Sequence, residues 1–276
     1  MRSGPGLRRR IIERSTLNCC FFWGLIQNSR GSPGSPGTLN YKSALPDDST
    51  PPGQASAGAR SLTSRGVRAI IAPMSSAEYA HVLDFWFEGC EQDAPHIDAR
   101  MDRWFGTDPS LDDEIKARFS DLVNQACNGE LDHWAGEARG RLALIILIDQ
   151  FRRNIHRGTA HAYSSDPKAL KFCVEGIVNR AYKELRPEEQ IFFFMPLQHA
   201  ESSKLQDKSV SIYQALANNV SETLKETFLT TAQFAELHRD IVAEFGRFPH
   251  RNKALGRENT EAEQAYLAGE AVSFGQ

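Results

Sequence analysis

Two segments, almost a hundred residues apart, concentrate groups that bind anions and move protons. DQFRRNIHRGT, residues 149–159, carries Asp149, Gln150, Arg152, Arg153, Asn154 and Arg157. RFPHRN, residues 247–252, carries Arg247, His250, Arg251 and Asn252, with Arg257 shortly after. Guanidinium is a planar fork suited to bidentate contact with carboxylate or phosphate. Imidazole and carboxylate groups beside such cations are candidate proton donors and acceptors. A third segment, MPLQHAESS, residues 195–203, adds Gln198, His199 and Glu201. Residues two apart do not share a helix face, so His199 and Glu201 make no ready metal pair, and no metal ligand is assigned.

Taken singly, each group has a bland explanation. Cations after a helix complement its dipole, Asp149 pairs with a nearby arginine, and arginine packs on phenylalanine. Taken together they say more, because two helices of an acidic domain both end in Arg and Asn. If the two segments meet, they form an anion pocket. In that pocket Arg153, Arg247 and Arg251 hold the anion, while Asn154 and Gln150 orient it. Arg157, Asn252 and Arg257 complete the binding set, and Asp149, His199, Glu201 and His250 are the candidate acid/base groups. His238 lies two turns before Phe245 on one face, so it is expected to point inward, where it needs a partner.

The elements that must position these groups read as helices. Tyr79, Val82, Leu83, Trp86 and Phe87 recur at helical spacing over residues 76–88. A second helix starts near DPSLDDE, capped by Asp108 or Ser110, and stops at Gly129. GRLALIILIDQF, residues 140–151, is apolar on every face, as a central buried helix is. Asp166–Pro167 and Pro187 are further start signals, and Pro196 interrupts the second of these helices. A long helix runs from about residue 221 to Phe245 and ends at Gly246. Thr260-Glu261-Ala262-Glu263 is a capping box opening the last helix. No alternating strand pattern of useful length occurs. The expected fold is one all-α domain over residues 74–276, a tetratricopeptide-like right-handed stack of antiparallel helix pairs with roughly eight or nine helices.

Charge divides the chain. Residues 1–73 hold ten Lys/Arg against Glu13, Asp47 and Asp48, which leaves about −10 of the whole-chain −3 for the remainder. This first stretch is rich in Gly, Pro and Ser and reads as a disordered extension. It is Arg-rich and acid-poor in the manner of a mitochondrial or plastid transit peptide; MSSAEYAHVLDFWF from Met74 equally reads as a natural start, which would make the upstream part a start-codon artefact and the protein cytoplasmic. Cys90, Cys127 and Cys173 are isolated and odd in number, which argues against a disulfide framework and a cysteine zinc site. No stretch is long enough to span a bilayer, and the acidic domain is a poor nucleic-acid binder. No cofactor is expected.

VLDFWF, RWF, LALIILIDQFRRNIHRGT, FFFMPLQHAES, ELHRDIVAEFGRFPHRNKALGREN and TEAEQAYL together resemble a mostly bacterial family catalogued as domain of unknown function nine-two-four. The resemblance covers about residues 78–274 and implies a tetratricopeptide-like helical fold. It departs at Ala200, where the family shows Ser, and at Arg152, where Pro is common. It implies no activity, so function must be read from the site. The leading expectation is a pocket for a small anionic molecule or an acidic peptide end, with acid/base catalysis left open. One alternative is a scaffold that binds a protein partner or peptide in a groove. Another is a metal-dependent hydrolase built on His199, Glu201, His238 and His250.

Overall fold

The structure, a computed structural model, describes residues 77–89, 94–269, 271–272 and 274–275. The expectations for residues 1–73 lie outside the described residues. Those that are described form helices and turns, with no strand among them, so the protein is all-α.

Local chemistry sets most of the element ends. Helix α1 (Ala77–Phe87) and α2 (Ala94–Phe105) come first. Helix α3 (Pro109–Asn128) starts where the Asp108 carboxylate accepts from the Ser110 N–H, and stops at Gly129, whose φ of 89° suits glycine. A 3-10 turn (Asp132–Gly136) leads into α4 (Ala138–Ile145). Helix α4 passes through a π-helical stretch (Ile146–Phe151) into α5 (Arg152–Ile155). Then follow α6 (Asp166–Val178), α7 (Pro187–Gln198), α8 (Ser203–Asn219) and α9 (Lys225–Phe245). Gly246, φ 72°, ends α9, and α10 (Glu261–Leu267) opens with the Thr260–Glu263 capping box.

Helix α4 is the hub. It packs on α1, α6 and α7, and every residue from Gly140 to Phe151 is buried. A helix that is apolar all round needs such a surround. Helices α8 and α9 pack along each other, and α8 also covers α7. The main core runs through α1 to α8 and the first half of α9. A smaller cluster, Leu237, Ile241, Val242 and Phe248, joins the far end of α9 to the C-terminal segment.

Three local features differ from the sequence reading. Helix α2 stands where no helix is expected, and its Ile97, Met101 and Trp104, at helical spacing, are buried. Pro196 does not interrupt α7; it lies in the last turn, and the helix closes at Gln198 with the His199 N–H on the Met195 carbonyl. The buried helix contains a π turn, in which the Arg152 N–H reaches back to the Leu147 carbonyl. Such turns widen a helix locally and recur at functional sites.

Candidate functional site

The π turn delivers Asp149 and Gln150 into the interior, and α5 continues with Arg152, Arg153 and Asn154. Asp149 is wholly buried, so its charge requires partners. It has three. Arg153 Nη1 donates to Oδ1 at 3.0 Å, Gln150 Nε2 donates to Oδ2 at 2.6 Å, and His199 Nδ1 lies 2.8 Å from Oδ1. Burial opposes ionisation of Asp149, but the Arg153 charge and the His199 and Gln150 contacts overcome it. The carboxyl is held well below the usual carboxylate range.

An ionised Asp149 only accepts, so the His199 hydrogen sits on Nδ1 and the Nε2 lone pair is left over. Burial, then the Arg153 charge, lowers the His199 pKa from its ordinary value against the pull of Asp149. His199 is therefore neutral near pH 7. Its backbone is clamped as well: Gln206 Nε2 donates to the Gln198 and Ala200 carbonyls, and Arg251 Nη1 donates to the His199 carbonyl at 3.0 Å.

Arg251 also links the two sequence segments. Its Nη1 lies 3.4 Å from Asp166 Oδ2, the oxygen that accepts from Arg153 Nη2 at 2.9 Å. Both guanidinium groups face the Tyr163 ring, at 4.8 and 5.6 Å from its centroid. Burial, then the Arg153 charge, brings the Arg251 pKa down to about 10, so it stays charged at neutral pH.

Beside this cluster lies a cavity of about 100 Å³. Its polar wall includes Gln150, Arg153, Asn154, Arg157, His199 and His238; its apolar wall includes Met101, Trp104, Ile191, Met195, Phe234 and Phe274. Asp112, in the first turn of α3, accepts from Asn154 Nδ2 at 2.7 Å and from Arg157 Nε and Nη2 at 2.8 and 2.9 Å. His238 donates Nδ1–H to the Phe234 carbonyl at 2.7 Å, and burial pushes its pKa down to about 3. Its ring centroid is 6.2 Å from that of His199. Two neutral imidazoles thus line one cavity.

The predicted residues separate into two groups. Asp149, Gln150, Arg153, Asn154, Arg157 and His199 gather at the cavity, with Arg251 behind them. Glu201, Arg247, Asn252 and Arg257 do not line it. Glu201 accepts from both Nη atoms of Arg257 and from the Phe248 N–H. Arg247 forks onto Glu263, and Asn252 bridges Arg257 and Asn259. These four tie down the loop between α9 and α10. His250 lies in that loop against Phe248 and Phe274, its pKa pushed well below the ordinary value by burial and the Arg251 charge. Arg152 binds the His161 carbonyl, the Ser164 hydroxyl and the Cys127 sulfur, away from the cavity.

Sequence reasoning did not assign roles to Asp112, Asp166, Gln206 or Phe274. The first two were read only as helix-start acids. Among the described residues no group of three or more His, Cys, Asp or Glu side chains is arranged to hold a metal ion, and no helix is long and apolar enough to cross a membrane.

No curated protein matches the chain. A solved structure, the protein of unknown function ATU0120 from Agrobacterium tumefaciens, is 37% identical with a TM-score of 0.59; the match covers 69% of this chain and 97% of that one. A family model described as bacterial protein of unknown function (DUF924) matches residues 82–271, and the chain belongs to that family.

Proposed function

We propose that the cavity binds a small molecule with an acidic or anionic end, and that the Asp149–His199 pair moves a proton at that end. The observation that carries this is the 2.8 Å contact between His199 Nδ1 and a buried, ionised Asp149, which leaves Nε2 of this cavity-lining residue as the imidazole's proton acceptor, with no hydrogen-bond partner among the described residues. A carboxylate behind a histidine fixes the tautomer and stabilises the imidazolium that forms when the ring takes a proton.

The charge balance sharpens the ligand class. Arg153, Arg157 and Arg251 are matched by Asp112, Asp149 and Asp166, so with neutral histidines the cluster carries no net charge. A bare anion meets no free cation here. An acid that enters neutral and gives its proton to His199 leaves an anion beside an imidazolium, with Arg153 and Arg157 close by. An anion that enters already ionised brings a proton with it. Binding and protonation of His199 are then linked, and affinity for an anion rises as pH falls, by at most about tenfold per unit for one proton. The cavity is smaller than the roughly 150 Å³ space that accepts benzene, so the ligand is short.

The peptide-groove reading draws less support. The exposed large apolar side chains among the described residues are Val174, Val178, Leu229 and Leu255, of which Val174 and Val178 lie one turn apart on α6. The metal-hydrolase reading needs groups that are already engaged, because Glu201 is held by Arg257 and the His199 and His238 Nδ1 atoms by Asp149 and Phe234.

The test is a thermal-shift titration with isobutyrate and with inorganic phosphate at pH 6 and pH 8. Isobutyrate is expected to raise Tm more at pH 6, to do nothing in His199→Gln, and to act normally in Arg247→Ala. Equal stabilisation of wild type and His199→Gln would remove His199 from the site.

A further inference from the structure

Phe274 is an unusual wall for a cavity. It lies beyond α10, the last helix, and its backbone has a φ of 53°, a left-handed conformation that is uncommon for a bulky residue. Its ring lies flat on the His238 imidazole, with centroids 3.8 Å apart and planes 23° from parallel. Phe248 and His250 meet it edge-on, at 6.3 and 5.5 Å. An aromatic box thus exists at the edge of the cavity, built by α9 and the loop after it, and a side chain of this same protein fills it. Beside these ring contacts, the Val272 N–H reaches back to the Tyr266 hydroxyl at 3.4 Å.

The occupant also leaves something undone. His250 Nδ1 is buried and has no hydrogen-bond partner among the described residues. A phenyl ring offers it none, and a buried polar atom without a partner is costly. The box is therefore completed chemically by a ring that carries a polar substituent, which Phe274 lacks. Moreover, His238 and His199 are neighbours, with ring centroids 6.2 Å apart. A ring stacked on His238 with an acid group one carbon away places that group beside His199.

We propose that the ligand of this site is a short aromatic carboxylic acid, and that Phe274 is a self-plug holding the ring's place on His238 while the cavity is empty. This rests on the reading of His199 as the proton-transfer group and adds the class of molecule it serves. Entry of the ligand displaces the Phe274 ring from His238. The ligand ring then stacks on His238, its carboxyl meets His199, and a hydroxyl or ring nitrogen satisfies His250. The relief of left-handed backbone at Phe274 offsets part of the loss of its contacts.

The experiment is calorimetric titration of wild type, Phe274→Ala and Phe274→Ala/His199→Gln with 4-hydroxyphenylacetate, cyclohexylacetate and isobutyrate. Phe274→Ala is expected to bind 4-hydroxyphenylacetate at least tenfold more tightly than wild type does, to gain less for the saturated ring, and to gain least for isobutyrate, which has no ring to take the vacated place on His238. The added His199→Gln change is expected to abolish the gain. If isobutyrate binds but Phe274→Ala gains nothing for the aromatic acid, the plug is wrong and the His199 site stands. If the double variant keeps the full gain, the ring site exists without His199, and the link between them fails. If no carboxylate binds any of the proteins, both the site and its ligand class fall.

Discussion

The Asp149–His199 cluster and the strap formed by Arg247, Glu263, Arg257 and Glu201 are built from the same residue types, yet they do opposite things. In the strap every guanidinium fork closes on a carboxylate or a carbonyl, and each carboxylate also accepts a backbone N–H: that of Phe248 for Glu201, and that of Thr260 for Glu263. In the cluster the pairing is as dense, but it ends on a histidine at the cavity whose second nitrogen has no hydrogen-bond partner among the described residues. Composition does not separate the two; burial does in part, since Asp149 and Arg153 are sealed while Arg247, Arg257 and Glu201 are partly exposed, and the other difference is that only the cluster terminates in an unspent acceptor. A satisfied network rigidifies, whereas one that ends at a lone pair is prepared for a visitor.

The largest contrast should appear in stability. Asp149→Ala leaves Arg153 buried and short of a partner, and breaking a buried pair this way costs about 3–5 kcal/mol. Glu201 is partly exposed, and water takes over some of what Arg257 and the Phe248 N–H lose. Glu201→Ala should cost about 1–3 kcal/mol. Urea unfolding of both variants measures the difference; equal losses would mean that the two networks are energetically alike.

Acid should separate the regions next. His199, His238 and His250 are all held below the ordinary histidine value of 6.5, His238 down to about 3. The unfolded chain therefore binds protons that the folded chain refuses. Stability is full above pH 6.5 and is lost as pH falls toward 3, by at most about 1.4 kcal/mol per pH unit for each histidine. Glu263 titrates lower. Its folded value of about 2 lies below 4.5, so its contribution is lost only between those two values. Chemical denaturation from pH 7 to pH 5 should show a falling stability that His238→Gln makes shallower by up to one proton. An unchanged slope would contradict a buried neutral imidazole at that position.

Much of this was legible because it is local chemistry. Asp108, Pro167, Pro187 and the Thr260–Glu263 box mark helix starts, and Gly129 and Gly246 mark ends, through capping geometry that a few residues settle among themselves. Asp149, Arg153 and Asn154 could be picked out as candidates because charged and polar groups directly after an all-apolar helix demand partners. The sorting of arginines was not legible. Arg257 and Arg251 look alike in sequence, but one meets Glu201, 56 positions away, and the other meets Asp166, 85 positions away. Asp112 and Asp166 concealed their roles for the same reason, since an acid in the first turn is already explained by the helix dipole. The π turn left no periodic trace, because the all-apolar run presents no face whose phase could shift.

The smallest effect tests whether the two networks are independent. Arg247 and Glu263 form a fork at 2.6 and 2.8 Å, and hydrogen bonds from Arg247 are the main reason the Glu263 carboxyl sits at about 2. Arg247→Ala removes them but leaves the Thr260 N–H on the same carboxylate at 2.7 Å. The Glu263 value should therefore climb toward 4.5 without reaching it, as followed by carboxyl-carbon NMR. Across that change the His199 ring protons should not move, because His199 takes its charge environment from Asp149, Arg153 and Asp166. A shift at His199 would mean that the loop carrying Arg247 also sets the position of Arg251, and that the strap is part of the site after all.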